Sequence, residues 1–139
     1  MNHQELINKI ACLLMKDGKK SVAHKILNKS LTIASNQLNI TKDILLKKSL
    51  ENIKPTIDAR SKRVGRISYI IPYGLTDEQS TCLALKILIG SARSRKEKQF
   101  VFKLANELVD SFHNKGASIK KKNEIHMLAE ANKSFAFFR

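Results

Sequence analysis

Apolar residues recur at helical spacing through most of this chain of 139 residues. The clearest stripe consists of Val101, Leu104, Ala105, Leu108 and Phe112, whose spacing of three and four places them on one helix face. Each such face needs a partner that excludes water from it. The sequence therefore predicts a mainly α fold in which helix packs against helix.

Similar stripes and capping residues predict six helices in total. Ser21, Thr41 and Thr76 are predicted N-caps of the second, third and fourth helices, and Pro55 ends the third. Gly116 is predicted to close the fifth helix, and Ser118 or Lys120 to begin the sixth. The predicted inward-facing residues of the other helices are Leu6, Ile7, Ile10, Leu13 and Leu14; Val22, Ile26, Ser30 and Ile33; Leu46, Leu50 and Ile53; Leu85, Leu88, Ile89 and Ala92; and Ile125, Leu128, Ala129, Asn132 and Phe135.

A β-prone segment interrupts the helical pattern. Two short runs flank Gly65 and end before Pro72, which predicts a hairpin over about residues 56–72 with a three-residue turn. An isolated hairpin is marginally stable in water, so its base should lean on the helices. The predicted fold is one domain over residues 1–139, a six-helix bundle with one protruding β-hairpin between the third and fourth helices.

The charge of the chain limits its partners. There are 26 Lys and Arg against 12 Asp and Glu, which gives a net charge of +14. A compact fold of this charge repels itself unless a polyanion neutralises it, so nucleic acid or an anionic membrane surface is the expected partner. The apolar runs are too short to span a bilayer. Nucleic acid is the favoured interpretation.

The basic residues are clustered. Scattered solvating charges would alternate with acids along helix faces, whereas these cations concentrate at predicted helix ends and on the hairpin, where side chains and backbone amides can reach phosphates together. The clustered cations predicted to bind nucleic acid are Lys16, Lys19, Lys20, Arg93, Arg95, Lys96, Lys115, Lys120, Lys121, Lys122, Lys133 and Arg139 in the helical body, and Arg60, Lys62, Arg63 and Arg66 in the hairpin.

No catalytic pattern survives inspection of the sequence. Residues 16–21 resemble only the end of a phosphate-binding loop, and His24, His113 and His126 fall on different helices without ligand partners. Cys12 and Cys82 lie in apolar helical stretches and are predicted to be buried free thiols. We therefore expect no enzyme activity, no cofactor, no metal and no small-molecule substrate. A DNA- or mRNA-binding helical regulator remains an alternative.

The aromatic residues favour recognition of RNA shape over recognition of single strands. The sequence lacks the aromatic-rich strand pair of single-strand-binding sheets. Three of the six Phe residues crowd the final positions. Phe135 is predicted to join the core, while Phe137 and Phe138 could pack or stack on bases, and packing is favoured.

Five motifs follow one another along the chain, namely MKDGKKS (15–21), LENIKP (50–55), RSKRVG (60–65), KLANELVD (103–110) and HMLAEANKSFAFFR (126–139). In this order they resemble the small ribosomal subunit protein number seven family. The resemblance implies a six-helix body with a hairpin, binding to the 3′ major (head) domain of small-subunit rRNA, and initiation of head assembly. It also implies contacts with neighbouring head and platform proteins including protein eleven, and a hairpin near the exit-site tRNA and the mRNA exit. By motif position, the resemblance assigns to the hairpin contact Arg60, Lys62, Arg63, Gly65 and Arg66, and to rRNA Lys16, Lys19, Lys20, Arg93, Arg95, Lys120, Lys121 and Lys122.

Three departures from the family pattern limit this transfer. The basic arm that usually precedes the first helix is not seen, Arg66 replaces a second hairpin glycine, and residues 76–79 replace an arginine-containing segment. The 20 Lys against 6 Arg are typical of an A/T-rich genome. With no import signal visible, this predicts an organelle-encoded mitochondrial ribosomal protein, with a plastid or a bacterial cytoplasm as alternatives.

Overall fold

The computed structural model describes residues 2–138. Within that range the helices are α1 (His3–Leu14), α2 (Lys20–Leu38), α3 (Lys42–Ile53), α4 (Asp77–Arg93), α5 (Phe100–Phe112) and α6 (Ala117–Ala131), followed by a 3₁₀ helix (Lys133–Phe138). Strands β1 (Ile57–Val64) and β2 (Ile67–Gly74) lie between α3 and α4. The prediction of a mainly α fold with a hairpin between the third and fourth helices is confirmed.

Helix α5 lies at the centre of the bundle. It packs against α2, α3, α4 and α6, and its residues Leu104, Ala105 and Leu108 are buried as predicted. Buried side chains from all six helices meet in one hydrophobic cluster. The surrounding helices are therefore held in place by contacts with α5.

The caps of α3 and α4 follow the prediction. The Thr41 hydroxyl accepts a hydrogen bond from the Ile44 N–H at 3.4 Å. Thr76 and Gln79 form a capping box, in which each side chain accepts from the backbone N–H of the other residue. These caps satisfy N–H groups that have no partner within the helix.

The predicted inner face of α2 is wrong at its start, although Ser30 is buried and Ile33 packs against the core as predicted. Ala23, Leu27 and Leu31 are buried, whereas Val22 is 47% exposed. The helix begins at Lys20 with Lys19 as its N-cap, so Ser21 is not the cap. Two neighbouring apolar stripes run along this helix, and the stripe with the small Ala23 is the one that packs against the core.

The end of the chain also departs from prediction. Helix α6 begins at Ala117, and Gly116 is its N-cap rather than the end of α5. The helix ends at Ala131, and the 3₁₀ helix that follows breaks the predicted stripe. Phe135 consequently packs on the hairpin residue Tyr69, with ring centroids 5.0 Å apart, and not in the bundle core.

The predicted burial of both cysteines is wrong. Cys12 is exposed and Cys82 is half-buried, and both are free thiols. Helix α1 buries only Leu6, Ile10 and Ala11, so the residue after Ala11 faces away from the core.

The hairpin turn is tighter and the strands longer than predicted. Val64 pairs with Ile67, which leaves a two-residue turn of Gly65 and Arg66. Gly65 has φ +65°, and a positive φ at the first turn residue alone is the pattern of a type II′ hairpin turn. A glycine is needed only at that position, so Arg66 fits without strain.

Candidate nucleic-acid interface

Four cations from three separate segments of the sequence surround one cavity. The α1–α2 groove, as we name it, has a volume of about 490 Å³ and lies where the ends of α1, α2, α4 and α5 meet. Its lining residues are the cations Lys16, Lys19, Arg93 and Lys103 and the apolar residues Leu14, Met15, Val22, Ala23, Ile26 and Phe100. The structure thus brings three of the predicted RNA-binding residues together and adds Lys103, which the sequence analysis missed.

Arg93 is fixed in place by the end of α1. Its guanidinium Nη2 lies 3.5 Å from the carbonyl oxygen of Leu13. Carbonyl groups at the C-terminus of a helix carry partial negative charge, so a cation is stabilised there. Arg93 remains exposed, and it can reach an external anion without losing this support.

Arg95 points inward, in contrast to Arg93. Its guanidinium donates to Glu107 and Asp110 at 2.8 Å each and to Glu97 at 3.1 Å. Burial alone would lower the pKa of Arg95, but hydrogen bonds with Asp110, Glu107 and Glu97 outweigh it and raise the pKa above its ordinary value. With three carboxylate partners, Arg95 is a structural residue, and RNA contact by Arg95 stays an untested prediction.

Glu97 is the third carboxylate partner of Arg95. Asn106 donates to the Glu97 carboxylate at 3.0 Å, and this hydrogen bond, with others from its own backbone and from Arg95, lowers the pKa of Glu97 to about 2. Glu97 is therefore ionised at any physiological pH. The α4–α5 loop is held against α5 by these contacts.

Glu107 is fully buried and was not singled out from the sequence. One of its carboxylate oxygens, Oε1, accepts from the backbone N–H of Ser118 at 3.0 Å and from the Ser118 hydroxyl at 2.6 Å, while Oε2 accepts from Arg95. Glu107 thus caps the N-terminus of α6 from a different helix. An acid within an apolar helical stripe was the only signal that could have found it.

Gly116 allows the start of α6 to lie close to the Glu107 carboxylate. Its φ is +93°, and an added Cβ would lie 3.0 Å from Asp110 Cβ and 3.3 Å from Glu107 Oε1. Both the backbone angle and the available space therefore require glycine at this position. The Arg95–Glu107–Ser118 connection holds the α4–α5 loop beside the start of α6.

Some of the cations on α6 and in the loops beside it are exposed, and others pack against or hydrogen-bond to the protein. Lys96, Lys115 and Lys120 are exposed. Lys122 donates to the carbonyl of Asn52 at 2.8 Å, at the end of α3, and Lys121 is half-buried near Gly90. Lys96, Lys115 and Lys120 are therefore free to reach phosphates, while Lys122 also stabilises the packing of α6 on α3.

The hairpin cations lie on two faces. Residues directly opposite in the pairing share a face, so Lys62 lies with Tyr69, and Arg63 lies on the other face with Ser68. Tyr69 packs on the 3₁₀ helix, and Lys62 donates to the Phe138 carbonyl at 2.7 Å. Arg60, on the same face as Lys62, pairs with Asp58 at 2.9 Å. Arg63 and the turn residue Arg66 are both exposed, and Arg63 lies on the face opposite to that packing.

Of the two aromatic residues for which packing was favoured, Phe138 packs on the hairpin, whereas Phe137 remains largely exposed. Phe138 stacks on Tyr69 at 5.1 Å between ring centroids, and Phe137 lies 4.1 Å from Phe138 yet is 76% exposed. Lys133 is exposed and pairs with Glu130 at 3.1 Å. Arg139, a predicted RNA-binding residue, lies outside the described residues.

His126 supports the base of the hairpin. Its Nε2 accepts a hydrogen bond from the Thr56 N–H at 3.2 Å, directly before β1. Partial burial and the nearby charge of Lys122 lower the pKa of His126 below its ordinary value of 6.5. The neutral imidazole that this hydrogen bond needs is therefore the favoured form at neutral pH.

Acidification is expected to loosen this contact. Because the pKa is lowered in the folded state, the contribution of neutral His126 to stability is complete above pH 6.5 and is lost as the pH falls through the folded-state pKa. NMR titration should give His126 a pKa below 6.5, and His126→Gln should flatten this part of the pH dependence of unfolding. A pKa of 6.5 or higher would contradict the assignment.

Other site chemistries find no support in the described range. Residues 2–138 contain no group of three or more His, Cys, Asp and Glu side chains placed to hold a metal ion. None of the helices in this part of the chain is long and apolar enough to cross a bilayer. The organised feature of the surface is its clusters of cations.

Comparison with known proteins decides the family. Residues 1–133 match the family described as Ribosomal protein S7p/S5e. The chain belongs to the ribosomal protein S7p/S5e family. A protein named small ribosomal subunit protein uS7 from Desulfatibacillum aliphaticivorans is 43% identical, and the match covers 99% of this chain and 88% of the relative. A protein of the same name from Geotalea uraniireducens is 41% identical, and the match covers 96% of this chain and 86% of the relative. A third, from Buchnera aphidicola, is 37% identical over 97% and 86%.

Membership in the S7p/S5e family settles the broad predictions. The resemblance inferred from five motifs is confirmed, and so is the prediction of a small-subunit ribosomal protein. The homologues are structural proteins of the ribosome and not enzymes, which confirms the prediction of no enzymatic activity.

Proposed function

We propose that this chain binds the 3′ major (head) domain of small-subunit rRNA and initiates assembly of the head. The observation that carries the proposal is the α1–α2 groove, where Lys16, Lys19, Arg93 and Lys103 converge from separate segments of the chain. Cations placed by helix ends and loops suit the phosphates of a folded RNA. The net charge of +14 requires a polyanionic partner of this kind.

The RNA surface that we propose extends from this groove to α6. Arg93 is two residues from Arg95, and the Arg95–Glu107–Ser118 connection joins the α4–α5 loop to the start of α6, where Lys115 and Lys120 are exposed. The exposed cations that we propose as rRNA contacts are Lys16, Lys19, Lys20, Arg93, Lys96, Lys115, Lys120 and Lys133. The half-buried Lys121 and Lys122 lie at the edge of this proposed RNA surface. Arg95 is left out because its carboxylate partners occupy it.

The hairpin is proposed to serve a second contact, with the exit-site tRNA and the mRNA exit. Arg63 and Arg66 support this, since both are exposed at or beside the turn and Arg63 lies on the face away from the 3₁₀ helix. The contacts with protein eleven and other head and platform proteins rest on the family resemblance. The mitochondrial location stays a prediction supported by the excess of Lys over Arg, and the bacterial relatives favour the bacterial alternative.

Competition between two nucleic acids tests the proposal. A labelled transcript of the 3′ major domain is bound to the protein and displaced by either the same unlabelled transcript or a duplex DNA of equal phosphate content. We expect the transcript to compete much better than the duplex. Preference for the duplex would favour a DNA-binding regulator instead.

Charge reversal at the hairpin tip should separate its role from that of the body. Arg63→Glu with Arg66→Glu is expected to leave affinity for the 3′ major domain within about threefold, since most phosphate contacts lie elsewhere, and to reduce binding of exit-site tRNA to assembled subunits by about tenfold or more. Lys47→Glu with Lys48→Glu, on exposed α3 positions, is the control. Equal loss of both functions would contradict this division.

A further inference from the structure

The α1–α2 groove has an apolar floor as well as a cationic rim. Val22 is 47% exposed in it, and Ile26 and Phe100 are half-buried. We propose that this groove takes one unstacked RNA base on its floor while the cations of the rim bind the phosphates on either side of that nucleotide. The inference rests on the proposed function, since it names how part of the rRNA is held.

The floor suits a flat apolar surface. Phe100 packs at the edge of the core and lines the groove, and Val22 and Ile26 in the first two turns of α2 are not part of the buried core. Bases displaced from a helix are bound by stacking on aromatic or apolar side chains. A cavity of about 490 Å³ is the size of a small-ligand site and has room for a base with its sugar.

The rim suits phosphate. All four charged residues around the groove are cations, and among residues 2–138 no Asp or Glu lines it. Helices α2 and α5 both begin at this groove, and neither of their N-caps, Lys19 and Gln99, makes a side-chain capping hydrogen bond in the described structure. Their N-terminal N–H groups and dipoles add to the attraction for anions.

Charge complementarity favours RNA over a protein occupant. A protein segment would have to supply both an apolar side chain and several carboxylates within one residue or two. A nucleotide carries one flat base between two phosphates, which matches an apolar floor within a cationic rim. We therefore take an rRNA nucleotide as the occupant.

Val22→Ser tests the floor without changing charge. Val22 is the third residue of α2, and Ile44, the third residue of α3, is 56% exposed outside the groove, so Ile44→Ser is a matched control. Binding to the 3′ major-domain transcript is measured over a range of salt, and each base is probed with a base-reactive reagent. Thermal unfolding of each variant shows that it remains folded, and Val22→Thr preserves the branched shape.

We expect Val22→Ser to weaken binding about fivefold with an unchanged salt slope, because apolar contact and not phosphate contact is lost. One nucleotide should be protected in the wild-type complex and reactive in the Val22→Ser complex. The RNA affinity of Val22→Thr should lie between those of the wild type and Val22→Ser. Ile44→Ser should bind within about twofold of the wild type.

Three results would overturn the inference. If Val22→Ser binds like Ile44→Ser and changes no base, the groove holds no base, while rRNA binding itself stands. If Val22→Ser keeps RNA affinity but loses crosslinking to a ribosomal protein in reconstituted subunits, the occupant is a protein. If the wild-type chain does not bind the transcript, the proposed function fails first and this inference with it.

Discussion

Replacement of Glu107 by alanine is expected to lower the free energy of unfolding by about 3 kcal/mol. The Glu107 carboxylate is fully buried and accepts hydrogen bonds from Arg95, from the Ser118 hydroxyl and from the Ser118 N–H. Its removal leaves a buried N–H at the start of α6 without an acceptor and a void beside Arg95. Arg95 keeps Glu97 and Asp110, which limits the loss.

Urea unfolding followed by circular dichroism measures this change. Glu130→Ala is the control, because Glu130 lies on α6, the helix that Glu107 caps from α5, and pairs with a lysine, but its side chain is 75% exposed. We expect that control to stay within about 0.5 kcal/mol of the wild type. A similar small change for Glu107→Ala would mean that the buried carboxylate does not organise α6.

Neutralisation of the α1–α2 loop should reduce the salt dependence of RNA binding. The triple variant Lys16→Gln, Lys19→Gln and Lys20→Gln removes three exposed cations, of which Lys16 and Lys19 line the groove and Lys20 begins α2 beside them. Each lost phosphate contact lowers the log–log slope by about 0.7 to 0.9, so the slope should fall by about 2 to 3. Filter binding or fluorescence anisotropy across a salt series measures it.

A control with the same change in net charge separates local contact from overall attraction. Lys42→Gln, Lys47→Gln and Lys48→Gln remove three exposed lysines of α3 that lie outside the proposed surface. We expect the slope of this control to stay within about 1 of the wild type. Equal slopes for the two triple variants would show that RNA binding depends on the net charge of the protein and not on phosphate contacts at the groove.

The elements that the sequence predicted well are those with one dominant apolar stripe and a strong cap. Helix α5 has a single stripe, and Thr41 and Thr76 each lie three residues before the N–H that they accept from. Local spacing and local hydrogen bonding are enough to define such elements. The hairpin was placed by the same means, from Gly65 and the β-branched residues around it.

The failures occur where tertiary contacts choose between local alternatives. Helix α2 carries two adjacent stripes, and only the close packing of Ala23 against the core decides which one is buried. Phe135 follows a helix that ends early, so its partner became Tyr69 of the hairpin. Periodicity within one element holds no information about either choice.

The predicted RNA-binding residues show the same limit. Sequence position could not distinguish Arg93, which is exposed at the groove, from Arg95, which two residues later is bound by three carboxylates. Glu107 was missed because its partners Arg95 and Ser118 are 12 and 11 residues away. Lys103 was missed because it stands alone in the sequence and meets the other cations only in the folded chain.

The affinity of the purified protein for two transcripts of equal length distinguishes recognition of head-domain rRNA from general attraction to polyanions. One transcript is the 3′ major domain of small-subunit rRNA and the other is an unrelated structured RNA, compared at an ionic strength of about 0.15 M. We expect a preference of about 100-fold or more for the head-domain transcript, because fixed cations match one folded backbone. Equal affinity for the two transcripts would contradict it.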